Sequence, residues 1–367
     1  MDRMQRETRR TMDRRQATIA YLQGQCRRYP ELEPQDLLKA LHQSVFGCGH
    51  FVTDAAAGLA RLRAELAEAP CGGPDVEPLD GGFCRVHLSA VKRTGLAPET
   101  LFRIFALSAE DPAGTRAELE EKLSVLLELA EDGQLPFSAD QIAAAIDNWR
   151  RAGYPACHHS EDFRAVYAPV YRVVRREFAW MLPLLAAIDK QMAAKPQVLL
   201  AIDGGSASGK TTLASWLEKI YGCQVFHMDD FFLRPQQRTA ERLAEPGGNV
   251  DRERFYEEVL LPLTQGRTVQ YRRYDCQTQT VGGPVNIRPG ALNVVEGAYS
   301  MHPMLADSYD LSAFLRVPPE VQHARVLARN GPEIGERFFT QWIPLEQRYF
   351  DALDPAGRCD ILLEVET

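Results

Sequence analysis

Residues 198–217, VLLAIDGGSASGKTTLASWL, decide the fold of the second half of the chain. The apolar run from Val198 to Ile202 predicts a buried strand, and the glycine-rich residues 203–209 predict a turn. Apolar residues then recur from Leu213 to Ile220 at the spacing of an amphipathic helix. Strand, glycine-rich loop and helix, in this order, are the setting that a phosphate-binding loop of the pattern GxxxxGK(S/T) requires.

The residue types of this loop suit a nucleoside triphosphate with its metal ion. Glycines allow backbone N–H groups to approach a polyphosphate closely, and the helix N-terminus adds donors and a positive dipole end. Lys210 can reach the β- and γ-phosphates, and the Thr211 hydroxyl can bind Mg²⁺. We therefore predict ATP and Mg²⁺ as cofactors, although an ordinary glycine-rich turn is the simpler alternative. The predicted cofactor-binding residues are Gly204, Gly205, Ser206, Ala207, Ser208, Gly209, Lys210, Thr211 and Thr212.

Charge, apolar runs and cysteine spacing argue against several classes of protein. The net charge of −8 argues against nucleic acid as a partner, and no uncharged apolar run is long enough to cross a membrane. The arginine-rich residues 1–22 are interrupted by acidic residues and favour a solvated opening helix over a transit peptide. The eight cysteines contain no CxxC pair, so neither a zinc knuckle nor a redox motif is supported. The nucleotide-binding loop, with no signal-peptide pattern, favours reduced thiols and a cytoplasmic location.

The chain of 367 residues predicts two domains, residues 1–192 and 193–367. The first is expected to be mainly helical, with helices near 35–46, 54–68, 97–109, 113–131 and 138–152. Residues 160–192 predict one or two long helices broken near Pro169 and Pro183, with Ser160 as an N-terminal cap. Residues 83–89, FCRVHLS, fit either a short strand or a buried turn.

Titratable side chains lie at the breaks of this first half: His50, Arg85, His87, His158 and His159. One hypothesis is a small-molecule or metal pocket where the breaks converge. The alternative is a separate surface or capping role for each residue. No HxH or HxxxH spacing supports a metal site.

In the second half, strand-like runs at 197–202, 223–228, 292–295, 311–316 and 360–365 alternate with helical patterns. This alternation predicts an α/β domain with a doubly wound, mostly parallel sheet. Ligands of such sheets bind at the carboxyl ends of the strands, where Asp229, Asp230 and Glu296 are found. Phosphoryl transfer needs a carboxylate to activate the acceptor and an acidic group near Mg²⁺, whereas a lone carboxylate at a strand end often only caps a helix.

From about residue 197 onward, the chain resembles the uridine kinase and phosphoribulokinase group of P-loop kinases. The matching pieces are GGSASGKTT (204–212), MDDFF (228–232), NVDRERFYEEVLLPL (249–263), YRRYDCQT (271–278), VVEGAY (294–299), HARVLARN (323–330) and CDILLE (359–364). Together they are more specific than the phosphate loop alone. The resemblance covers about half of the chain and leaves the first half unassigned.

The resemblance implies roles for individual residues. Asp229 matches the general base of the family's DxFY element, in which Phe232 stands for the tyrosine, and Glu296 matches the acidic residue near Mg²⁺. Asp251 matches a residue that holds ribose hydroxyls, and Tyr274 with Asp275 matches the nucleoside-site strand. Arg325 and Arg329, on the helix that leads into the lid, are implied to be catalytic, although both could be solvated helix-face residues.

Two departures from the family pattern are visible. Gln279 stands near the position of a histidine that contacts the base in uridine kinases. The lid segment, residues 329–350, lacks the usual basic cluster and is rich in aromatic residues, which favours packing on the core or an apolar wall beside the acceptor.

The sequence thus predicts an ATP-dependent kinase that phosphorylates a hydroxyl of a small molecule, with a pyrimidine nucleoside as first choice. Lys210, Asp229, Glu296, Arg325 and Arg329 are the predicted catalytic residues. The alternatives are a kinase of another small hydroxyl metabolite, an ATP-dependent switch that acts on the first half, and a bifunctional enzyme with a second active site. Self-association is implied by the resemblance alone.

Overall fold

The computed structural model describes residues 2–48, 54–72, 75–110 and 114–365. The chain divides into two compact units, Met1–Leu182 and Pro183–Thr367. The boundary expected after residue 192 lies near the end of a helix, Leu182–Ala194, that belongs almost entirely to the second unit.

The first unit is mainly helical, as the sequence predicted. Its helices are α1 (Asp2–Arg28), α2 (Pro34–Phe46), α3 (Ala55–Glu68), α4 (Leu88–Thr94), α5 (Pro98–Ala109), α6 (Arg116–Glu131), α7 (Ala139–Arg151), α8 (Glu161–Tyr167) and α9 (Arg176–Trp180). Its strands are β1 (Val76–Pro78), β2 (Phe83–His87) and β3 (Tyr171–Arg175). As expected, Ser160 caps α8, because its side chain accepts a hydrogen bond from the Phe163 N–H.

The expectation of a solvated opening helix is wrong for the later turns of α1. Leu22 is fully buried, and Thr18 and Gln25 are also buried. The physical reason is the spacing of Ile19, Leu22 and Cys26, which places an apolar stripe against the core of the unit. The central residues of this core are Leu22, Leu37, Leu41, Leu126 and Ile142.

The prediction of long helices over residues 160–192 is also wrong in part. Helix α8 ends at Tyr167, and residues Tyr171–Arg175 form β3, which pairs antiparallel with β2. Pro169 removes a helical N–H, and Val173 with Val174 favours a strand whose two faces pack on neighbours. Pro183 lies in the first turn of the helix Leu182–Ala194, where a missing N–H is tolerated, so it begins a helix rather than breaking one.

The second unit contains the predicted sheet. Its helices are α10 (Leu182–Ala194), α11 (Lys210–Tyr221), α12 (Ala240–Ala244), α13 (Arg252–Phe255), α14 (Leu261–Thr264), α15 (Pro303–Ala306), α16 (Pro319–Arg337), α17 (Ile343–Leu353) and α18 (Pro355–Arg358). Its strands are β4 (Val198–Gly204), β5 (Gln224–His227), β6 (Val269–Asp275), β7 (Thr280–Ile287), β8 (Leu292–Glu296), β9 (Leu311–Arg316) and β10 (Ile361–Glu364). A 3₁₀ turn spans Met228–Phe231, and π-helical turns span Tyr256–Leu260 and Phe338–Trp342.

The main sheet has five parallel strands in the order β10-β9-β4-β8-β5, so the predicted α/β fold class is confirmed. Strand β4 is central and fully buried. The connection after β4 runs to β5 at one edge of the sheet, whereas the connection after its neighbour β9 runs to β10 at the other edge. Such a reversal opens a crevice beyond the carboxyl end of the central strand, where ligands of this fold class bind. The hairpin β6–β7 is separate and antiparallel.

In the part of the chain that the structure describes, no helix combines the length and apolar character needed to cross a bilayer.

Candidate active site

The phosphate loop lies at the carboxyl end of β4, in the crevice that the sheet topology predicts. Gly204 has φ 145°, and a Cβ there would lie 2.6 Å from the backbone oxygen of Leu315. A side chain would therefore push the loop away from β9. Gly209, with φ 104°, caps α11 in a left-handed conformation, so the turn into the helix also depends on glycine.

Asp203 holds this loop in place through hydrogen bonds of its carboxylate. Its carboxylate is fully buried and accepts N–H groups from Gly204 at 2.6 Å, Tyr299 at 3.2 Å and Met301 at 2.9 Å. The Tyr349 hydroxyl donates a fourth hydrogen bond at 2.8 Å. Burial raises the pKa of Asp203, and these donors act in the opposite direction. The loop is thus tied to the segment after β8 and to helix α17.

Lys210 is folded back on its own loop. The ammonium donates to the carbonyls of Gly204 at 2.8 Å and Gly205 at 2.9 Å, and the residue is 9% exposed. Arg325 of α16 approaches the same loop, with its guanidinium 3.4 Å from the carbonyls of Ala207 and Ser208. Two of the predicted catalytic cations therefore lie at the phosphate loop.

Thr211 and Glu296 lie together, as the magnesium prediction requires. The Thr211 hydroxyl donates to Glu296 Oε1 at 3.1 Å, across the crevice between α11 and the end of β8. Glu296 is 5% exposed. Sequence reasoning had placed both residues near the metal, and the parallel pairing of β4 with β8 explains why they meet.

His227 is a member of this group that sequence reasoning missed. Its Nδ1 lies 2.6 Å from Glu296 Oε1, and its hydrogen bond to that carboxylate raises the pKa of the imidazole. The two residues are direct partners in the pairing of β5 with β8. The available signal was a histidine at the end of a predicted strand, but the strand order was needed to pair it with Glu296.

Asp229 and Asp230 follow β5 in the 3₁₀ turn and have different surroundings. Asp230 is paired with Arg273 at 3.2 Å and accepts from the Tyr271 hydroxyl at 3.3 Å. Asp229 lies within electrostatic range of Lys210 and Glu296. Desolvation by the crevice raises its pKa and Lys210 lowers it, yet the residue keeps an exposed side. Asp229 is therefore the carboxylate that a small acceptor could reach.

The predicted acceptor residues are only partly brought together. Asp251 is 3% exposed, lies 3.4 Å from Arg254 Nε, and accepts from Gln237 at 2.9 Å. The buried Tyr274 accepts at its hydroxyl from Arg238 at 2.8 Å.

Asp275 and Gln279 lie instead in the exposed turn of the β6–β7 hairpin. Asp275 accepts from the N–H groups of Gln277 and Thr278, at 2.7 and 3.3 Å, and Gln279 has φ 56°. These bonds give Asp275 a local structural role in the turn.

The predicted lid contributes Glu346, which the sequence did not single out, and Tyr349, one of the aromatic residues of that segment. Helix α16 is kinked at Gly331, which has φ 73°, and the chain continues through the π-helical turn into α17. Glu346 and Tyr349 of α17 contact the phosphate loop and its support. Arg329 lies over the ring of Phe338 at 5.6 Å, on the lid itself.

The first unit gathers part of the predicted titratable cluster into a buried polar network. Arg85 is 2% exposed and donates to Glu77 at 3.2 Å, while His87 Nε2 lies 3.4 Å from the same carboxylate. Glu77, Arg85, His87 and Tyr171 help to line a cavity of about 150 Å³.

The two adjacent histidines have opposite placements. Nδ1 of the buried His159 lies 2.7 Å from Asp36, and its Nε2 lies 2.7 Å from the Tyr171 hydroxyl. Burial lowers the pKa of His159 to about 4. His158 is exposed, and His50 lies outside the described residues.

Among the residues that the structure describes, no three His, Cys, Asp or Glu side chains converge as a metal site. A magnesium site completed by a threonine, phosphates and water needs no such cluster.

No family model matches the chain. A solved structure titled as a possible uridine kinase from Bacillus stearothermophilus is 22% identical, with 50% of this chain and 100% of that chain covered and a TM-score of 0.38. Shikimate kinase from Acinetobacter baumannii, solved in complex with shikimate, is 19% identical, with 48% and 87% covered and a TM-score of 0.29. The strand order and the phosphate loop of this chain are the basis on which its α/β fold is assigned.

Proposed function

We propose that the second unit is an ATP-dependent kinase that transfers the γ-phosphoryl group to a hydroxyl of a small molecule. The observation that carries the proposal is one crevice holding Lys210, the Thr211–Glu296 pair and Asp229. A phosphate cradle, a hard-metal site and an acceptor base are the parts that phosphoryl transfer requires.

The residues present fit a magnesium ion. Thr211 offers a hydroxyl and Glu296 a carboxylate, which are the oxygen ligands that Mg²⁺ prefers. The hydrogen bonds with Thr211 and His227 both use Glu296 Oε1, so they leave Oε2 for a further ligand. When bound, the ion would neutralise charge on the β- and γ-phosphates.

The chain's own residues supply the remaining chemistry. Lys210 would leave the loop carbonyls for the phosphate oxygens, because an ammonium gains more from an anion than from neutral carbonyls. Asp229 would accept the proton of the acceptor hydroxyl while that oxygen attacks the γ-phosphorus and the bond to the ADP oxygen breaks. Arg325 would add positive charge near Ala207 and Ser208 of the loop.

A pyrimidine nucleoside is the acceptor that we propose first. The support is the sequence resemblance together with the burial of Asp251 and Tyr274. Both have protein partners, so a ribose would have to replace Gln237 or Arg254 at Asp251. Because Gln237 and Arg254 already contact Asp251, the second candidate for the acceptor is a non-nucleoside alcohol that does not need the Asp251 carboxylate.

The test is ADP release from Mg-ATP in the presence of uridine, cytidine, sugars, hydroxy acids and pantothenate-like alcohols. Asp251→Asn is the discriminating variant and Asp275→Asn the control, because the second carboxylate lies in an exposed turn. Turnover with uridine or cytidine that weakens in Asp251→Asn alone would support the nucleoside. Turnover with another alcohol would replace the substrate and keep the mechanism. Nucleotide binding without acceptor-dependent turnover would favour the switch.

A further inference from the structure

Glu346 places a carboxylate on the phosphate loop. Its Oε2 accepts the Ser206 N–H at 2.9 Å, and its Oε1 accepts the Ser206 hydroxyl at 2.5 Å. The residue lies on α17 and is only 5% exposed. Backbone N–H groups of such a loop are the donors that cradle phosphates, so one of these donors already holds an anion of the protein.

This contact is part of a larger attachment of the lid to the loop. One turn after Glu346, the Tyr349 hydroxyl bonds Asp203 at 2.8 Å. From α16, Gln322 donates to the Ser206 carbonyl at 2.8 Å. A Cβ on Gly205 would lie 2.9 Å from the Gln322 amide nitrogen and 3.6 Å from the Glu346 carboxylate. The loop therefore lies against both lid helices along residues 203–206.

The charges around Glu346 would change if a phosphate entered the loop. Desolvation raises the pKa of Glu346, and Lys210 is the largest influence in the opposite direction. Lys210 itself bonds the carbonyls of Gly204 and Gly205. A triphosphate entering the loop would draw Lys210 away and bring several negative charges close to the Glu346 carboxylate. In a poorly solvated site, that repulsion is strong.

We propose that Glu346 is a built-in competitor of the nucleotide phosphates, and that nucleotide binding displaces α17 from the phosphate loop. This inference rests on the proposed function to the extent that the loop binds a nucleoside triphosphate. The lid helix thus contacts Ser206 through Glu346 and is released when phosphate replaces the carboxylate.

The sign of a binding change tests this inference. Glu346→Gln keeps the shape and an acceptor oxygen for the Ser206 N–H but removes the charge. In calorimetric titrations with Mg²⁺ and a non-hydrolysable ATP analogue, we expect Glu346→Gln to bind at least fivefold more tightly than the unaltered protein. Gln347→Ala is the matched control, because Gln347 is exposed on the same helix and its amide donates to Asp351, one turn further along that helix. Its affinity is expected to stay within twofold.

Hydrogen exchange provides a second readout that needs no variant. Displacement predicts that amides of residues 345–353 exchange at least threefold faster when the unaltered protein is saturated with the ATP analogue. If Glu346 were instead a brace for the nucleotide-bound loop, these amides would become more protected and Glu346→Gln would bind more weakly. Either of those results would overturn the inference.

The nucleotide site and the competing role of Glu346 can be refuted separately. Tight analogue binding that disappears in Lys210→Ala, together with equal or weaker binding by Glu346→Gln, would reject the competitor and leave the nucleotide site intact. If the unaltered protein and Glu346→Gln both fail to bind the analogue, the proposed function fails and the inference fails with it.

Discussion

Replacing Glu77 with glutamine should destabilise the first unit by a predictable, pH-dependent amount. Glu77 is 2% exposed and accepts from Gln25, Tyr29 and Arg85, the last of which is a buried cation. Desolvation alone would raise the pKa of Glu77, but His87 and Arg85 together with the other donors lower it to about 2. The carboxylate is therefore ionised and paired at neutral pH.

The magnitude follows from two independent arguments. The fall in the pKa of Glu77 from its ordinary 4.5 to about 2 corresponds to about 3 kcal/mol of stability at about 1.36 kcal/mol per pKa unit. Removing one partner of a buried ion pair costs about 3–5 kcal/mol, since Arg85 would keep its charge without a counterion. We therefore expect Glu77→Gln to lower the free energy of unfolding at pH 7 by about 3 kcal/mol.

The sign of the pH dependence is fixed by the direction of the shift. Because the folded-state pKa is depressed, the stabilisation is present above the unfolded-state value of 4.5 and is lost as the pH falls toward 2. The unaltered protein and Glu77→Gln should therefore differ most at pH 6–7, and the difference should shrink as the pH falls through about 4 toward 2.

Hydrogen exchange of the β2 amides in the full chain measures this local stability directly. Glu99→Gln is the control, because its ion pair with Arg63 is exposed and should contribute less than about 1 kcal/mol. A difference between Glu77→Gln and the unaltered protein that stays below about 1 kcal/mol at pH 7, or that grows as the pH falls, would refute the reasoning.

Three further changes test other parts of the structure. Gly204→Ala should lower the free energy of unfolding by about 1–3 kcal/mol in chemical denaturation, because the new Cβ would overlap the Leu315 carbonyl. Unchanged stability would show that the backbone of β9 can move to accept the Cβ. Tyr349→Phe should cost about 1–3 kcal/mol in the same assay, since it removes a donor from the buried Asp203, and a neutral effect would count against that network. Asp275→Asn should leave the KM of the acceptor within twofold, because Asp275 serves the hairpin turn, whereas a tenfold rise would return it to the acceptor site.

The sequence was informative where a local pattern determines local structure. Strand β4, the loop and α11 follow from apolar spacing and glycines within one stretch, and the five sheet strands were found because buried parallel strands are short apolar runs. Thr211 and Glu296 could be assigned to one site since ligands gather at the carboxyl ends of such strands.

Contacts between residues that lie far apart in the chain could not be predicted from the sequence. The pairing of His227 with Glu296 depends on β5 lying beside β8, which the order of elements along the chain does not reveal. Glu346 reaches Ser206 from a lid helix that on sequence grounds was expected to pack on the core or beside the acceptor. The sequence predicts helix at β3, although Val173 and Val174 suit a strand, because its partner β2 lies far away in the chain and the pairing that makes the strand is not visible locally.

The most direct test of the account compares acceptor-dependent ADP release by Asp229→Asn and Asp230→Asn. These neighbours undergo the same change, but the charges of Lys210 and Glu296 act on Asp229, whereas Asp230 is paired with Arg273. With the best acceptor, Asp229→Asn should lower kcat by about 10²-fold or more and leave the KM of ATP within about threefold, since it removes a base and not a nucleotide contact. Asp230→Asn should keep kcat within about tenfold of the unaltered protein. Equal activity in both variants, or loss in Asp230→Asn alone, would contradict the assignment of Asp229 and the phosphotransfer site built around it.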